Sequence, residues 1–235
     1  MADGIYVGMS GAISRAAQLD AVSDNLANAE TPGFKAARPA FQSFLPRAAV
    51  TDKVQSAAVA GGLDLRPGAT ITTDQPLDVV PNDASFLAIQ TPAGARAFTR
   101  NGHIEVTGAG ALTIDGNPLL GADGAPLTVP VGAAPEIRPN GDLVVDRSVV
   151  GRVGLFDLSG PLGRSGPTLI VPAAGATVTP VDGTLRTGAL EGGNATALES
   201  TVAMIGAQRS FESAMQAIQT YRSLDQKAVE VGHVR

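Results

Sequence analysis

Few side chains in this chain of 235 residues could support catalysis, and their spacing favours structural roles. Histidine occurs only at His103 and His233. Residues 163–167, with Ser165 at the centre, superficially resemble the loop around a nucleophilic serine. A nucleophilic serine needs an adjacent base, and His103 is the available candidate. A serine hydrolase that uses Ser165 and His103 is therefore the alternative from the enzyme class, and a Gly/Pro-rich loop is the simpler explanation.

The sequence predicts no metal, cofactor or small-molecule site. The chain contains no cysteine, which excludes disulfides, thiol nucleophiles and thiolate metal ligands. The Asp-Gly pairs at positions 115, 123 and 182 lack the clustered spacing of a calcium loop and are typical of turns. No phosphate-binding or dinucleotide-binding glycine motif is present. We therefore expect no enzyme activity, no cofactor and no small-molecule substrate.

The composition also argues against nucleic-acid and membrane-spanning roles. The formal net charge is -5 and aromatic residues make up only 4% of the chain, so neither phosphate binding nor base stacking is favoured. No stretch approaches the ~18 consecutive apolar residues of a membrane span. The first basic residue is Arg15, and the pattern of a cleavable secretory signal peptide is missing.

The first 28 residues contain no proline and repeat apolar residues in steps of three and four. This spacing predicts one helix with a narrow apolar stripe, as at the seam of a coiled coil. We expect the helix to end near Asn28 or Ala29, because Pro32 disfavours helical backbone at Thr31. The predicted seam positions are Ile5, Met9, Ala12, Ala16, Leu19 and Leu26.

A second proline-free stretch predicts a helix from about Asn194 to Glu230. Glu199 follows Thr196 by three residues, which is the spacing of a capping box. Its predicted seam positions are Leu198, Val202, Ile205, Phe211, Met215 and Ile218. Alanines in the amino-terminal seam bury little apolar area in a single helix pair. We therefore expect these seams to pack against helices of neighbouring subunits. The alternative is that both helices pack on the β domain as ordinary surface elements.

The middle of the chain holds all sixteen prolines and many short apolar runs. Asn-Gly and Asp-Gly pairs between these runs are typical of hairpin turns. The predicted fold class is α+β, with an antiparallel, coiled-coil-like pair of terminal helices flanking an all-β domain of many short strands. The expected divisions are an amino-terminal helix at 1–30, an extended connector at 31–75, the β domain at 76–187 and a carboxyl-terminal helix at 188–235.

Residues 23–35, Ser-Asp-Asn-Leu-Ala-Asn-Ala-Glu-Thr-Pro-Gly-Phe-Lys, resemble the signature near the amino terminus of the flagellar axial proteins, specifically the rod proteins of the bacterial basal body. The signature positions are Asn25, Leu26, Asn28, Thr31, Pro32, Gly33, Phe34 and Lys35. The resemblance continues at 98–102, at 188–191 with Asn194, and at 208–212. It covers essentially the whole chain.

Within that family, the short length and the Arg-x-Phe-Glu turn at 209–212 are most similar to the proximal-rod member. The chain departs from the family pattern at Phe98, where tyrosine is common, at His103, where an apolar residue is usual, and at the glycines 192 and 193. A distal-rod or hook-type axial subunit is the alternative within the family, and another exported tube protein or an adhesin is the alternative outside it.

The resemblance implies a structural subunit that polymerises through its terminal helices into a tube and transmits torque to the hook. It implies copies of the chain and other rod proteins as partners, together with the flagellar type III export apparatus. It also implies export without a cleaved signal peptide and a place in the basal-body rod, within the periplasm.

Overall fold

The computed structural model describes residues 2–38, 40–44, 55–59 and 62–232. In this part of the chain, two long α-helices lie at the ends and eighteen short β-strands lie between them. The prediction of terminal helices flanking a β-rich region is thus confirmed. His233 lies outside the described residues, as does the side chain of Ile5.

The helices are α1 (Ala2–Ala27) and α2 (Ala197–Gly232). Helix α1 stops one residue before the predicted end, and the Thr31 N–H then donates to the Asn28 carbonyl in the following turn. At the start of α2, the Thr196 hydroxyl donates to a Glu199 carboxylate oxygen at 2.7 Å. Thr196 and Glu199 therefore contact each other at the start of the helix, but through their side chains and not through the side chain to backbone bonds of a capping box. None of the described helices combines the length and apolar character that a membrane crossing requires.

The strands are short, as their spacing between turn residues predicts. They are β1 (Ala40–Phe44), β2 (Gln55–Val59), β3 (Thr70–Thr72), β4 (Val79–Pro81), β5 (Phe86–Gln90), β6 (Arg96–Thr99), β7 (Glu105–Val106), β8 (Leu112–Ile114), β9 (Asn117–Pro118), β10 (Glu136–Ile137), β11 (Asp142–Val145), β12 (Ser148–Arg152), β13 (Leu155–Ser159), β14 (Leu162–Ser165), β15 (Leu169–Pro172), β16 (Thr177–Pro180), β17 (Leu185–Thr187) and β18 (Ala189–Glu191).

The largest sheet has six strands in the order β14-β15-β6-β5-β13-β16, and its pairings are antiparallel. Two three-stranded sheets have the orders β10-β11-β12 and β7-β8-β9. The remaining described strands pair as β1-β2, β17-β4 and β18-β3. The pair β18-β3 joins the start of the predicted carboxyl-terminal segment to the predicted connector.

The core lies on both faces of the central strand β5. Successive side chains of a strand point to opposite faces. Leu87 and Ile89 belong to one apolar cluster, and Phe86 and Ala88 belong to the other. The second cluster includes an edge-to-face contact between Phe98 and Phe156, whose ring centroids are 5.5 Å apart. Because β6 pairs with β5, burial on both faces of β5 also holds the end of β6 and the turn that follows it.

The chain forms two compact units. The helical unit comprises Met1–Ala27, Ala37–Gly62 and Thr196–Arg235, and the β unit comprises Asn28–Ala36 and Leu63–Ala195. The segment predicted as an extended connector contributes β1 and β2 to the helical unit and β3 to the β unit. The extended backbone of these three strands is consistent with the predicted connector. The sequence did not predict that they pair with other strands.

Candidate functional site

The signature residues that follow α1 form a tight turn in the β unit. The Phe34 N–H donates to the Thr31 carbonyl at 3.2 Å, and Gly33 has φ 71°. This is the type II turn that Pro32 and Gly33 predict. A Cβ on Gly33 would lie 2.0 Å from the Asn101 nitrogen, so the turn rests directly on the backbone after β6. Phe34 is fully buried beside this contact.

Glu191, the last residue of β18, receives hydrogen bonds from several distant segments of the β unit. The Lys35 ammonium donates to its Oε1 at 2.6 Å, and the Gly68 N–H donates to the same oxygen at 3.0 Å. The Arg100 guanidinium donates to its Oε2 through Nε at 2.8 Å and also through Nη2. The Gly33 N–H donates to its main-chain carbonyl at 2.7 Å. Lys35, Arg100 and Glu191 are all buried, and we call them the ion cluster.

The positive members of the ion cluster are also bonded to main-chain carbonyls. The Lys35 ammonium donates to the Arg66 carbonyl at 2.7 Å. The Arg100 guanidinium donates to the carbonyls of Asp83 at 2.6 Å, Pro81 at 3.1 Å and Ser85. A buried charge is tolerated only when it is paired and hydrogen-bonded, and these contacts satisfy that requirement.

Burial and pairing act in opposite directions on the two titratable members of the cluster. Burial, together with the charge of Arg100, lowers the pKa of Lys35 more than Glu191 and Asp64 raise it, so this pKa lies below its usual value. Burial raises the pKa of Glu191, but Arg100, Lys35 and the Gly68 N–H together outweigh that effect and hold it below its usual value. The carboxylate is therefore ionised at neutral pH.

Two asparagines use their side-chain amides to fix the backbone of the signature region. In the β unit, the Asn194 Oδ1 accepts from the Ala36 N–H at 2.7 Å, and its Nδ2 donates to the carbonyls of Asp64 and Arg66. In the helical unit, Asn25 accepts from the N–H of Ala37 and donates to its carbonyl, at 2.9 and 3.0 Å. Each side-chain amide thus accepts from a main-chain N–H and donates to a main-chain carbonyl, as a peptide group does between paired β-strands.

The remaining signature residues have smaller roles in this arrangement. The Asn28 Oδ1 accepts from the Thr31 hydroxyl at 3.2 Å, and Leu26 is half-buried. The Arg164 guanidinium lies over the ring of Phe34, 5.1 Å from its centroid. Sequence reasoning named Lys35 but missed its partners Arg100 and Glu191. Arg100 lies in the segment 98–102 and Glu191 in the segment 188–191, which both resemble the rod proteins. In each segment a charged residue stands next to apolar residues, and this pattern could have indicated a buried charge.

Helices α1 and α2 contact each other within the helical unit. Among the side chains of α2 that the structure describes, Ser200, Ala207 and Ile218 are buried, and they share one helical face. On α1, Ala12 and Val22 are buried, and a Cβ on Gly8 would lie 2.9 Å from the Ile218 Cγ1.

The predicted seam residues divide into buried, half-buried and exposed groups. Ala12 and Ile218 are buried, while Ala16, Leu19, Leu26 and Phe211 are half-buried. Met9, Leu198, Val202, Ile205 and Met215 are exposed. The helix pair of one chain therefore leaves part of the predicted seam in contact with solvent.

Three of these exposed residues form a stripe on the first turns of α2. Leu198, Val202 and Ile205 are 77%, 63% and 46% exposed. At about 100° of rotation per residue, this stripe lies on the opposite side of α2 from Ser200 and Ala207. We call these three residues the exposed stripe. A surface of this kind on a helix is typical of a protein interaction site.

The structure gives no support to catalysis at Ser165 and His103. The His103 Nδ1 lies 2.8 Å from the buried Asp78 carboxylate, which also accepts from the Thr73 hydroxyl. Ser165 is exposed on β14, and no hydrogen bond joins it to His103 in the described part of the chain. Within residues 2–38, 40–44, 55–59 and 62–232, no three His, Asp or Glu residues are grouped so that they could hold a metal ion.

Comparison with known proteins relates both ends of the chain to flagellar proteins. Residues 5–35 match the family described as flagella basal body rod protein, and residues 186–231 match flagellar basal body rod FlgEFG protein C-terminal. The flagellar basal-body rod protein FlgF of Escherichia coli K12 is 35% identical over 231 residues, which covers 91% of this chain and 92% of the relative. The chain belongs to the flagellar basal-body rod protein family.

Further relatives agree with this assignment. FlgF of Salmonella typhimurium is 33% identical with the same coverage, and FlgF of Mesorhizobium japonicum is 31% identical over 98% of both chains. The resemblance to a rod protein of the proximal type is thereby confirmed. The family is one of structural flagellar proteins. The two matched segments contain Lys35 and Glu191 of the ion cluster, and Arg100 lies between them.

Proposed function

We propose that this rod protein polymerises through its two terminal helices into the tubular proximal rod, which transmits motor torque to the hook. It acts as a mechanical component and catalyses no reaction. The observation that carries this proposal is the exposed stripe of α2, Leu198, Val202 and Ile205, which the helix pair of one chain leaves uncovered.

The energetics of the helix pair support assembly between copies. Burying a leucine-sized side chain contributes roughly 1.5–3 kcal/mol. Ala12, Ser200 and Ala207 are among the buried side chains of the two helices, and small side chains of this kind contribute far less. Helices of adjacent subunits that cover Leu198 and Val202 supply burial that one chain does not provide.

We further propose that α1 and α2 form an antiparallel, coiled-coil-like pair. Gly8, near the start of α1, lies against Ile218, in the later half of α2, as such a pair requires. In this proposal α1 and α2, which lie within residues 1–30 and 188–235, form the assembly domain. Residues 31–75 are then the connector, and residues 76–187 are the β domain, whose unit also includes β18.

Family membership supports a set of partners and a location. We propose that the chain contacts copies of itself and other rod proteins, and that the flagellar type III apparatus exports it without a cleaved signal peptide. Its place is then the rod of the basal body, within the periplasm. These assignments rest on the family, whose relatives are named basal-body rod proteins.

Replacement of one residue of the exposed stripe tests the proposal. Ile205→Asp places a charge where an apolar contact between subunits is expected. Ala203→Asp is the matched control, because Ala203 is exposed on the same turns of α2 but lies about 100° or more around the helix from each residue of the stripe. We expect Ile205→Asp to abolish swimming and to remove the chain from isolated basal bodies, whereas Ala203→Asp leaves both intact.

The purified variants must retain the β-sheet circular dichroism signal, so that the result reports on assembly. Normal basal bodies that contain the Ile205→Asp chain at its usual amount would contradict the assembly role of α2. A map of the native basal body that places this chain outside the proximal rod would contradict the location.

A further inference from the structure

Two edge strands of the β unit are exposed on both faces. All three residues of β3 are exposed, and Ile71 at its centre is 55% exposed. In β12, Val149 and Val150 are 57% and 44% exposed. Among the described residues, β3 pairs only with β18 and β12 pairs only with β11, so each strand has a second, unpaired edge.

Other edge strands of the β unit carry the residues that normally prevent edge-to-edge pairing. A charged residue or a proline lies within each of them: Arg164 in β14, Pro180 in β16, Glu136 in β10, Glu105 in β7 and Pro118 in β9. Exposed edges are otherwise templates for strand addition. Strand β3 contains neither a charge nor a proline, and in β12 the one charge, Arg152, is the last residue of the strand. These are the edges suited to accept another strand.

We propose that β3 of one subunit adds to the edge of β12 of the next subunit, so that the β units of neighbouring copies are joined by a continuous sheet. This inference rests on the proposed function, because it requires copies of the chain to lie side by side. Main-chain hydrogen bonds join the two strands, and apolar side chains select the pairing.

The charges beside the two strands are complementary. Asp74 is exposed three residues after Ile71. Arg147 and Arg152 bracket the two valines of β12. Asp74 and Arg147 lie just outside the two strands, at φ 57° and 69°, and Arg152 is the last residue of β12. A parallel pairing that sets Ile71 opposite Val149 brings Asp74 near Arg152. An antiparallel pairing that sets Ile71 opposite Val150 brings it near Arg147.

A groove beside β12 offers a place for a side chain of the added strand. This cavity has a volume of about 310 Å³ and is lined by Val150, Gly151, Pro126 and Leu127, among others. Alternate side chains of an added strand point to the same face, so Ile71 or a neighbouring threonine of β3 would enter it. Strand addition of this kind obtains its specificity from such pockets.

The proposed contact joins two different surfaces of the same molecule. Such a head-to-tail contact leaves one free edge at each end and therefore continues from copy to copy. It gives the β units a connection of their own, independent of the helices. A contact of β12 with β12 would instead close after two copies.

Cysteine cross-linking tests the contact directly, because the chain contains no cysteine of its own. Residues opposite each other on paired strands have Cβ atoms close enough for a disulfide. We expect full-length Ile71→Cys/Val149→Cys protein for parallel strands, or Ile71→Cys/Val150→Cys protein for antiparallel strands, to give cross-linked dimers and higher oligomers when it is oxidised in isolated basal bodies. Each single variant is expected to give none.

Thr177→Cys/Val149→Cys is the matched control, because Thr177 is exposed on the edge strand β16 that ends in Pro180. It is expected to give no oligomers. Dimers of the Val149→Cys single variant would show pairing of β12 with itself and overturn the proposal. Basal bodies that contain the Ile71→Cys/Val149→Cys or the Ile71→Cys/Val150→Cys protein, with no cross-link in either, would also overturn it and leave the rod assignment intact. Absence of the unmodified chain from basal bodies would instead contradict the proposed function.

A charge-reversal series supplies a second measurement that does not depend on cysteine geometry. We expect Asp74→Arg to reduce swimming and Arg152→Asp or Arg147→Asp to restore it in the double variant. Restoration by Arg152→Asp would indicate parallel strands, and restoration by Arg147→Asp would indicate antiparallel strands. A loss that neither reversal restores, or no loss at all, would contradict the contact.

Discussion

Lys35 and Glu191 are 156 positions apart in the chain, and the Lys35 Nζ lies 2.6 Å from the Glu191 Oε1 in the interior of the β unit. Their side chains are 2% and 1% exposed. Arg100 binds the other carboxylate oxygen, so the ion cluster holds two positive charges and one negative charge. The signature after α1 and the segment before α2 are thus held by one carboxylate.

Removal of the single negative charge should be the most damaging change in the ion cluster. Glu191→Gln leaves Lys35 and Arg100 buried without a counter-charge. Breaking a buried ion pair in this way costs about 3–5 kcal/mol. Lys35→Met leaves the neutral pair of Arg100 and Glu191 and should cost clearly less. Urea unfolding of the two purified variants measures the difference, and an equal loss in both would contradict this assignment of charges.

The stability of the β unit should fall in acid through Glu191. The folded state holds the pKa of this carboxyl below its usual 4.5, so the unfolded chain binds more protons. The stabilisation is complete above that usual pKa and is lost as the pH falls through the lower folded value. Urea midpoints measured from pH 6 downwards should drop more steeply for the unmodified chain than for Glu191→Gln. Parallel curves would show that other carboxyls cause the loss.

Gly33 should not tolerate a side chain. Gly33→Ala places a Cβ 2.0 Å from the Asn101 nitrogen and requires a non-glycine residue at φ 71°. Gly94 is the matched control, because it has a similar φ of 78° but a Cβ on it would meet no atom within 4 Å. Gly94→Ala should cost about 1–2 kcal/mol for its backbone alone. We expect Gly33→Ala to lower the melting temperature by several times as much, and equal shifts would contradict the close approach.

The glycines of α1 should respond differently to alanine. Alanine is favoured over glycine in a helix by about 1 kcal/mol. A Cβ on Gly11 would meet no atom within 4 Å. Gly11→Ala should therefore raise the melting temperature of the helices in the purified chain, measured by circular dichroism. Gly8→Ala places a Cβ 2.9 Å from the Ile218 Cγ1 and should give a smaller gain or a loss. A greater gain at Gly8 would contradict the contact between the helices.

The sequence predicts the local features of this fold well because they depend on local chemistry. Pro32 and Gly33 fix a turn wherever they occur together, and Thr196 with Glu199 marks a helix start. The helix ends and the short strands follow from the same kind of signal. The family resemblance also depends on residues that are close in sequence.

The ion cluster could not be predicted in the same way because its members are far apart. No periodicity connects Lys35 to Arg100 or to Glu191, and each charge alone resembles an exposed surface residue. The faces of α2 pose a related problem, since apolar spacing identifies Leu198, Val202 and Ile205 as one face but does not say what covers it. The structure shows that Gly8 of α1 lies against Ile218, on the opposite side of α2.

The distance along the chain between Lys35 and Glu191 also affects the order of folding. Contacts between remote segments form late, because a long loop must close before they give any stabilisation. A polypeptide that emerges from one end, at a ribosome or through a narrow channel, carries the turn at Gly33 long before residue 191 becomes available. The interior of the β unit is therefore completed only after four-fifths of the chain has been delivered, and a prematurely terminated copy lacks the carboxylate that its lysine and arginine require.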